Sequence, residues 1–306
     1  MDYKEKCKFL EERIKSLNEI GLALSREDDT NVIFELIMEE ARNITHADGR
    51  TLYMITDDDK SLKFEILRND SKETVMGGTS GVDIPFPPMH LYNEDGTENH
   101  STIVTYSAHT GETINIIDAY DEKGFDFTGA KNFDKGFGYR SKSFLSVPLK
   151  NHENDIIGVM QLINATDTES GSVISFSKEM QDQIESLASQ GAVALTNKRL
   201  VAELKNLFES FIRLIATAID RKSEYTGGHC ERVPDITMML AEAVENTKVG
   251  TYKDFAMTED ERYELYIAAW LHDCGKVATP VHVVDKATKL QTIYDRIENV
   301  QTRFEI

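Results

Sequence analysis

The chain has 306 residues, 40% of them hydrophobic and 28% charged with six prolines, which is the composition of a globular protein long enough for two domains. Its formal net charge of −19, with no Lys/Arg-rich block, argues against nucleic acid as the main partner, because phosphate backbones are held by clustered cations. Cys7, Cys230 and Cys274 are odd in number and scattered, the start MDYKEKCKFLEERIK is charged, and no apolar run approaches the roughly 20 residues of a membrane span, so a reducing, cytoplasmic setting is expected.

Residues 5–25 read as an N-terminal helix with apolar positions at Cys7, Leu10, Ile14, Leu17 and Leu24, a heptad-like spacing that Gly21 weakens. It fits either a helix packed on its own domain or a dimerising coiled coil. The next helix is expected over Val32–Ile44, capped by Thr30 or Asn31. The period then changes to that of strands. Thr51–Thr56 and Leu62–Leu67 flank the turn Asp57–Lys60 as a hairpin, and a Gly/Pro-rich stretch runs from Gly77 to Pro88. Further strands are expected at Ser101–Tyr106, Ser143–Leu149 and Ile156–Ile163, the last two joined by a turn over Asn151–Asp155. One helix, a meander of strands and a closing helix describe an α+β domain with an antiparallel sheet.

From Ser177 to about Lys222 the helical period returns without a proline, through Met180, Ile184, Leu187, Ala194, Val201, Leu204, Phe208, Phe211, Ile215 and Ile219. Two helices with an unmarked break would fit. So would one connecting helix that pairs with its twin in a homodimer.

Three ordered stretches, TGETINIIDAY (110–120), GYRSKSFLSVPL (138–149) and IGVMQLIN (157–164), resemble the GAF domains of cyclic-nucleotide phosphodiesterases. The resemblance covers most of residues 25–195 and implies a central antiparallel sheet with helices on one face and a small-ligand pocket on the other. It makes Asn164 and Phe176 candidate ligand-binding residues, with a fold-keeping role as the bland alternative. Ala165 stands where the cyclic-nucleotide motif has Lys, and Met180-Gln181 replace its acidic pair, so the ligand stays unnamed. His90, His100 and His109 lie in the same half, either as solvated loop residues or as a haem or metal sensor.

The chemistry-bearing residues come later, in SEYTGGHCERV (223–233) and AAWLHDCGK (268–276). Together these resemble the HD superfamily of metal-dependent phosphohydrolases, more closely its HD-GYP branch, which hydrolyses cyclic di-GMP. The resemblance implies an all-α HD-type domain over 223–306 that takes a cyclic dinucleotide. His272 and Asp273 can ligate from one helix end and His229 from a neighbouring one. Imidazole nitrogen with carboxylate oxygen suits iron, manganese or a similar divalent ion. Arg232, three residues after His229, is placed for a phosphate, and Lys276 for neutralising charge or protonating a leaving oxygen. Cys230 and Cys274 leave a zinc reading open. The Gly-Tyr-Pro signature is missing, and the family's later His and Asp ligands would lie beyond Ile306. The chain is therefore expected to be a fragment of a longer enzyme, or else a GAF sensor with a degenerate HD portion that signals through protein contacts.

Overall fold

The computed structural model describes Lys15 and residues 18–221, 228–284, 288–291 and 294–306. Its backbone divides into two compact units, Met1–Leu200 and Val201–Ile306. Cys7, Leu10, Ile14 and Leu17 of the expected first helix lie outside the described residues; residues 18–26 are helical (α1).

In the first unit, α2 (Thr30–Thr45) is capped not by Thr30 or Asn31 but by Asp29, whose carboxylate accepts the Asn31 amide at 2.8 Å. The hairpin β1 (Gly49–Ile55) and β2 (Ser61–Asn69) follows, then β3 (Thr74–Gly77) and the short β4 (Met89–His90). The expected strand at Ser101–Tyr106 is a helix, α3 (Ile103–Thr110). Thr102 and Thr105 form a reciprocal capping box at its start and Gly111, at φ 69°, closes its end, so cap chemistry overrides the β-branched composition. After β5 (Ile114–Ile116) comes α4 (Thr128–Phe137), then the hairpin β6 (Phe144–Lys150) and β7 (Ile156–Ile163). A two-stranded ribbon, β8 (Ala165–Thr166) and β9 (Val173–Ile174), leads into α5 (Lys178–Asp220), one helix of 43 residues with no break.

Among the described residues, seven strands form one antiparallel sheet in the order β3-β2-β1-β7-β6-β5, with β4 also on β2. Strand alternation sorts its side chains into two layers. Leu52, Leu145, Val147, Leu149, Met160 and Leu162 pack with Ile33, Ile37 and Met38 of α2 and with Ile184, Leu187 and Ala188 of α5. Tyr53, Phe144 and Val159 face the other way and pack with Ile103, Val104 and Ala108 of α3 and with Phe127. Each fully buried side chain of this size contributes about 1.5–3 kcal/mol. Two close approaches require glycine. A Cβ at Gly191 would stand 2.6 Å from Ile37 Cδ1, where α5 meets α2, and one at Gly158 would strike the Tyr53 carbonyl of the neighbouring strand. Pro148 sits within β6 opposite Val159; β5 pairs only with Phe144–Ser146, so no strand lies beside Pro148 on that side among the described residues.

The second unit is helical throughout its regular elements: the end of α5, α6 (His229–Glu245), α7 (Glu259–Leu271), a 3-10 turn (Cys274–Val277), α8 (Val281–Val284) and α9 (Ile297–Glu305). The last helix, expected from the sequence to run over 292–304, begins at Ile297; Thr292 and Ile293 lie outside the described residues. Thr258 and Glu261 close a capping box on α7. Ala216, Ile219 and Cys230 form a small core against Ile215 and Trp270. An ion pair joins Arg262 of α7 to Glu245 of α6. No described helix is long and apolar enough to cross a membrane.

Candidate metal centre and sensor face

Asn164 ends β7 at φ 57°, a left-handed conformation that Asn tolerates better than most residues. Its Nδ2 donates to Tyr139 Oη at 2.9 Å and to the Arg140 carbonyl at 2.8 Å. Its Oδ1 accepts the amides of Lys142 at 2.7 Å and Ser143 at 3.3 Å. Every polar position of that amide is taken by the protein, and the side chain is 2% exposed. Phe176 is buried in the layer shared with α2 and α5. Phe176 thus lies away from the face that α3 covers. That face carries a polar row instead: strand register sets Thr51 against Gln161 and Gln161 against Ser146, all buried, and Tyr53 Oη donates to Gln161 Oε1 at 3.2 Å. Burial pushes the Tyr53 phenol up, so it stays a donor. Nothing in the spacing of the chain marks this row; only the pairing register reveals it.

His90, His100 and His109, the three histidines singled out in this half, are not equivalent. His109 Nε2 donates to the Leu91 carbonyl at 2.6 Å and its ring meets His100 edge-on at 5.3 Å. His100 Nε2 lies 2.9 Å from Glu98 Oε2, and His90 Nδ1 lies 3.3 Å from Ser61 Oγ.

In the second unit, α6 starts at His229 behind Gly228, whose φ of 71° turns the chain into the helix. The amide of Cys230 is received by the Asp220 carboxylate, at 3.2 Å to Oδ2, so the last residue of α5 caps the first turn of α6. α7 ends at Leu271 and delivers His272 and Asp273 to the same place. His229 Nε2 stands 3.1 Å from His272 Nε2 and 3.7 Å from Asp273 Oδ2, and His272 Nε2 stands 3.3 Å from Asp273 Oδ2. These are the group of metal-ligating type among the described residues, with all three ligand atoms within 4.8 Å of one another.

Protonation follows from chemistry. The Ala269 carbonyl, 2.7 Å from His272 Nδ1, can only accept, so Nδ1 carries the proton and neutral His272 presents a lone pair at Nε2. That lone pair faces the ring nitrogen of His229, an arrangement satisfied by a proton on His229 or by a shared cation. For bonds of about 2.1 Å, ligands roughly 90–110° apart about a metal stand about 3.0–3.4 Å from one another; the 3.1 and 3.3 Å separations fall in that range, and the 3.7 Å one corresponds to an angle of about 124°, so a small closing of His229 on Asp273 brings all three to a divalent ion. The Ala269 contact is the orienting hydrogen bond that metal-ligating imidazoles use. The composition of the chain does not announce it, although a carbonyl three residues back along a helix end is a natural partner.

Lys276 Nζ donates to Asp273 Oδ2 at 2.5 Å, across one turn. Arg232 is exposed on the first turn of α6, and its Nη1 lies 3.1 Å from where a Cβ on Gly228 would stand. Of the two described cysteines, Cys274 is exposed, while Cys230 is buried in the small core. Burial, with the Asp220 carboxylate beside it, pushes the Cys230 thiol up to about 11, so it stays protonated and is a poor zinc ligand. Serine-to-glycine residues 223–227 of the upstream motif lie outside the described residues.

An antiparallel sheet with α2 and the long α5 on one face, and α3 over a half-polar layer on the other, defines the first unit as an α+β sensor module. The family model for the GAF domain matches residues 29–195, and the chain belongs to that family. It is a signal-transduction sensor of the kind that binds small-molecule ligands. The dual 3',5'-cyclic-AMP and -GMP phosphodiesterase 11A of Takifugu rubripes is 32% identical over 124 residues, 40% of this chain and 13% of that protein. The dual 3',5'-cyclic-AMP and -GMP phosphodiesterase 11 of Drosophila melanogaster is 27% identical over 176 residues, 52% of this chain and 11% of that protein. The chain therefore spans only a small part of these relatives. Among solved structures, the GAF domain from Acinetobacter phosphoenolpyruvate-protein phosphotransferase is 12% identical with a TM-score of 0.44, over 62% of this chain and 97% of that one.

Proposed function

We propose that this chain belongs to a GAF-regulated, metal-dependent phosphodiesterase of HD type, acting on a cyclic dinucleotide such as cyclic di-GMP. The observation that carries the reading is the convergence of two imidazole nitrogens and a carboxylate oxygen at 3.1–3.7 Å, with one imidazole held in the ligating tautomer. His229, His272 and Asp273 would hold the ion, iron or manganese by their donor set. When bound, such an ion supplies an acidified water and charge neutralisation on the phosphate. Around it, Lys276 neutralises Asp273 and is placed to give a proton to a leaving oxygen, and exposed Arg232 is free to reach a phosphate from α6. The first unit binds a small molecule, and α5, unbroken from one unit into the other, passes the bias on in a homodimer paired through that helix.

The test is the metal content of the purified chain by mass spectrometry beside Asp273→Ala. Near-stoichiometric iron or manganese that the variant loses supports the site, and hydrolysis of cyclic di-GMP by the parent protein then tests the substrate. Metal-free wild type means that this chain carries at best half a site, and leaves the GAF sensor as the only function it can be claimed to have.

A further inference from the structure

The three ligand atoms of the candidate centre reach it from two helix ends. His272 and Asp273 follow α7, whose end is held by the bond from His272 to the Ala269 carbonyl and by Trp270 in the small core. His229 is the first residue of α6, where a helix leaves amides without partners and tends to fray. Gly228 before it has no side chain to cap them. What holds His229 is its neighbour. Cys230 is 1% exposed, its side chain lies among Ala216 and Ile219 of α5 and Trp270 of α7, and both oxygens of Asp220 receive its amide, at 3.2 and 3.4 Å. Its thiol donates to the same carboxylate. Asp220 is the last residue of α5, is buried, and stands outside the group of metal-ligating type. A carboxylate out of water needs donors, and among the described residues those of Asp220 are the amide and thiol of Cys230.

We infer that Asp220 is a positioning residue for the candidate centre: from the end of α5 it fixes Cys230, and through Cys230 the imidazole of His229. The inference rests on the metal-dependent reading proposed above and adds what sets the gap between the two halves of the site. That gap is the long side of the ligand triangle, 3.7 Å from His229 Nε2 to Asp273 Oδ2, against 3.1 and 3.3 Å for the other two. His229 is therefore the ligand that has to close on the ion, and a first turn already fixed closes without first being ordered. Freed from Asp220, that turn has to be gathered by the ion itself, and affinity falls. The same hold gives the connecting helix its point of action. A shift of the last turn of α5 reaches the site through this carboxylate, at the one ligand of the three that α7 does not deliver.

The experiment titrates the metal-free full chain with Mn2+, reading the free ion by electron paramagnetic resonance, with Asp273→Ala as the measure of adventitious binding. Far-ultraviolet circular dichroism and the urea midpoint are recorded for each variant. Asp220→Ala should keep the helical spectrum and weaken Mn2+ binding about 10- to 100-fold, the usual effect of losing a group that orients a ligand. Asp220→Asn keeps an acceptor for the Cys230 amide without the charge and should recover most of that affinity. Asp220→Glu keeps the charge but sets it one methylene further out, and should bind more weakly than the Asn variant. An Asn variant that binds no better than the Glu variant, as an effect of charge alone would give, overturns the positioning role. So does an Ala variant that binds as tightly as the wild type. Should Asp220→Ala fail to fold, the order of the Asn and Glu variants decides. Wild type that binds Mn2+ no better than Asp273→Ala overturns the centre itself and this role with it; every other failure leaves the centre standing.

Discussion

Replacing Asn164 by Ala tests whether this residue holds the fold or serves a ligand. The substitution removes four side-chain hydrogen bonds, two donated to Tyr139 Oη and the Arg140 carbonyl and two accepted from the Lys142 and Ser143 amides. At about 1 kcal/mol each, this is about 4 kcal/mol, with more where a buried partner stays unmatched. Alanine at a φ of 57° adds strain of about 1 kcal/mol relative to Asn. The expected loss of about 5 kcal/mol rivals the whole stability of an ordinary domain, about 5–15 kcal/mol. Urea denaturation followed by far-ultraviolet circular dichroism measures it, and Asn164→Gly, which lifts the strain but not the lost bonds, should recover about 1 kcal/mol. A loss below about 1 kcal/mol for the Ala variant would refute the reasoning and return Asn164 to the list of ligand contacts.

Three further outcomes are expected. Gly158→Ala drives a methyl group into the Tyr53 carbonyl across the β1–β7 pair and should cost about 3 kcal/mol or prevent folding; a stable variant with an unchanged urea midpoint would contradict the packing. Asp118, through the Tyr120 amide and then Arg140, and Asp126, through Thr128, are held below the ordinary carboxylate range. A folded-state pKa lower than the unfolded one gives stability that is present above the ordinary value and lost as pH falls through the lowered one, so the urea midpoint should drop below about pH 4 and drop less in Asp126→Asn; a midpoint indifferent to acid would sink this. Under native conditions iodoacetamide should modify exposed Cys274 and spare Cys230, which is 1% exposed, as peptide mass spectrometry can check.

Much of the first unit was legible because its strands are short, β-prone runs bounded by turn residues: Ile156–Ile163 stands where the pattern puts it, and β1 and β2 differ from their expected bounds only at the ends. What could not be read rests on contacts distant in sequence. The run Ser-Thr-Ile-Val-Thr has the composition of a strand, but burial of Ile103, Val104 and Ala108 against the sheet, together with the Thr102–Thr105 capping box, decides for α3. α4 carries Gly129 and Gly136 and reads as a loop. It is fixed from outside, since Asp134 accepts the Ser141 amide at 2.8 Å and the Tyr120 hydroxyl at 2.9 Å. At the candidate metal centre, His229, His272 and Asp273 were all named from the sequence, whereas the Ala269 carbonyl that orients His272 and the cap that Asp220 lends to α6 were not, because both depend on how the helix ends fold.

Pro148 has a consequence for the margin of the sheet. It is buried where β5 has already ended, so an N–H at this place would have neither a strand nor water to receive it. By withholding that donor, the proline spares the fold an unmatched amide without taking any bond from the native ladder on that side. Pro148→Val would restore the donor, and its cost should surface as a loss of about 1–3 kcal/mol in the stability of the isolated molecule.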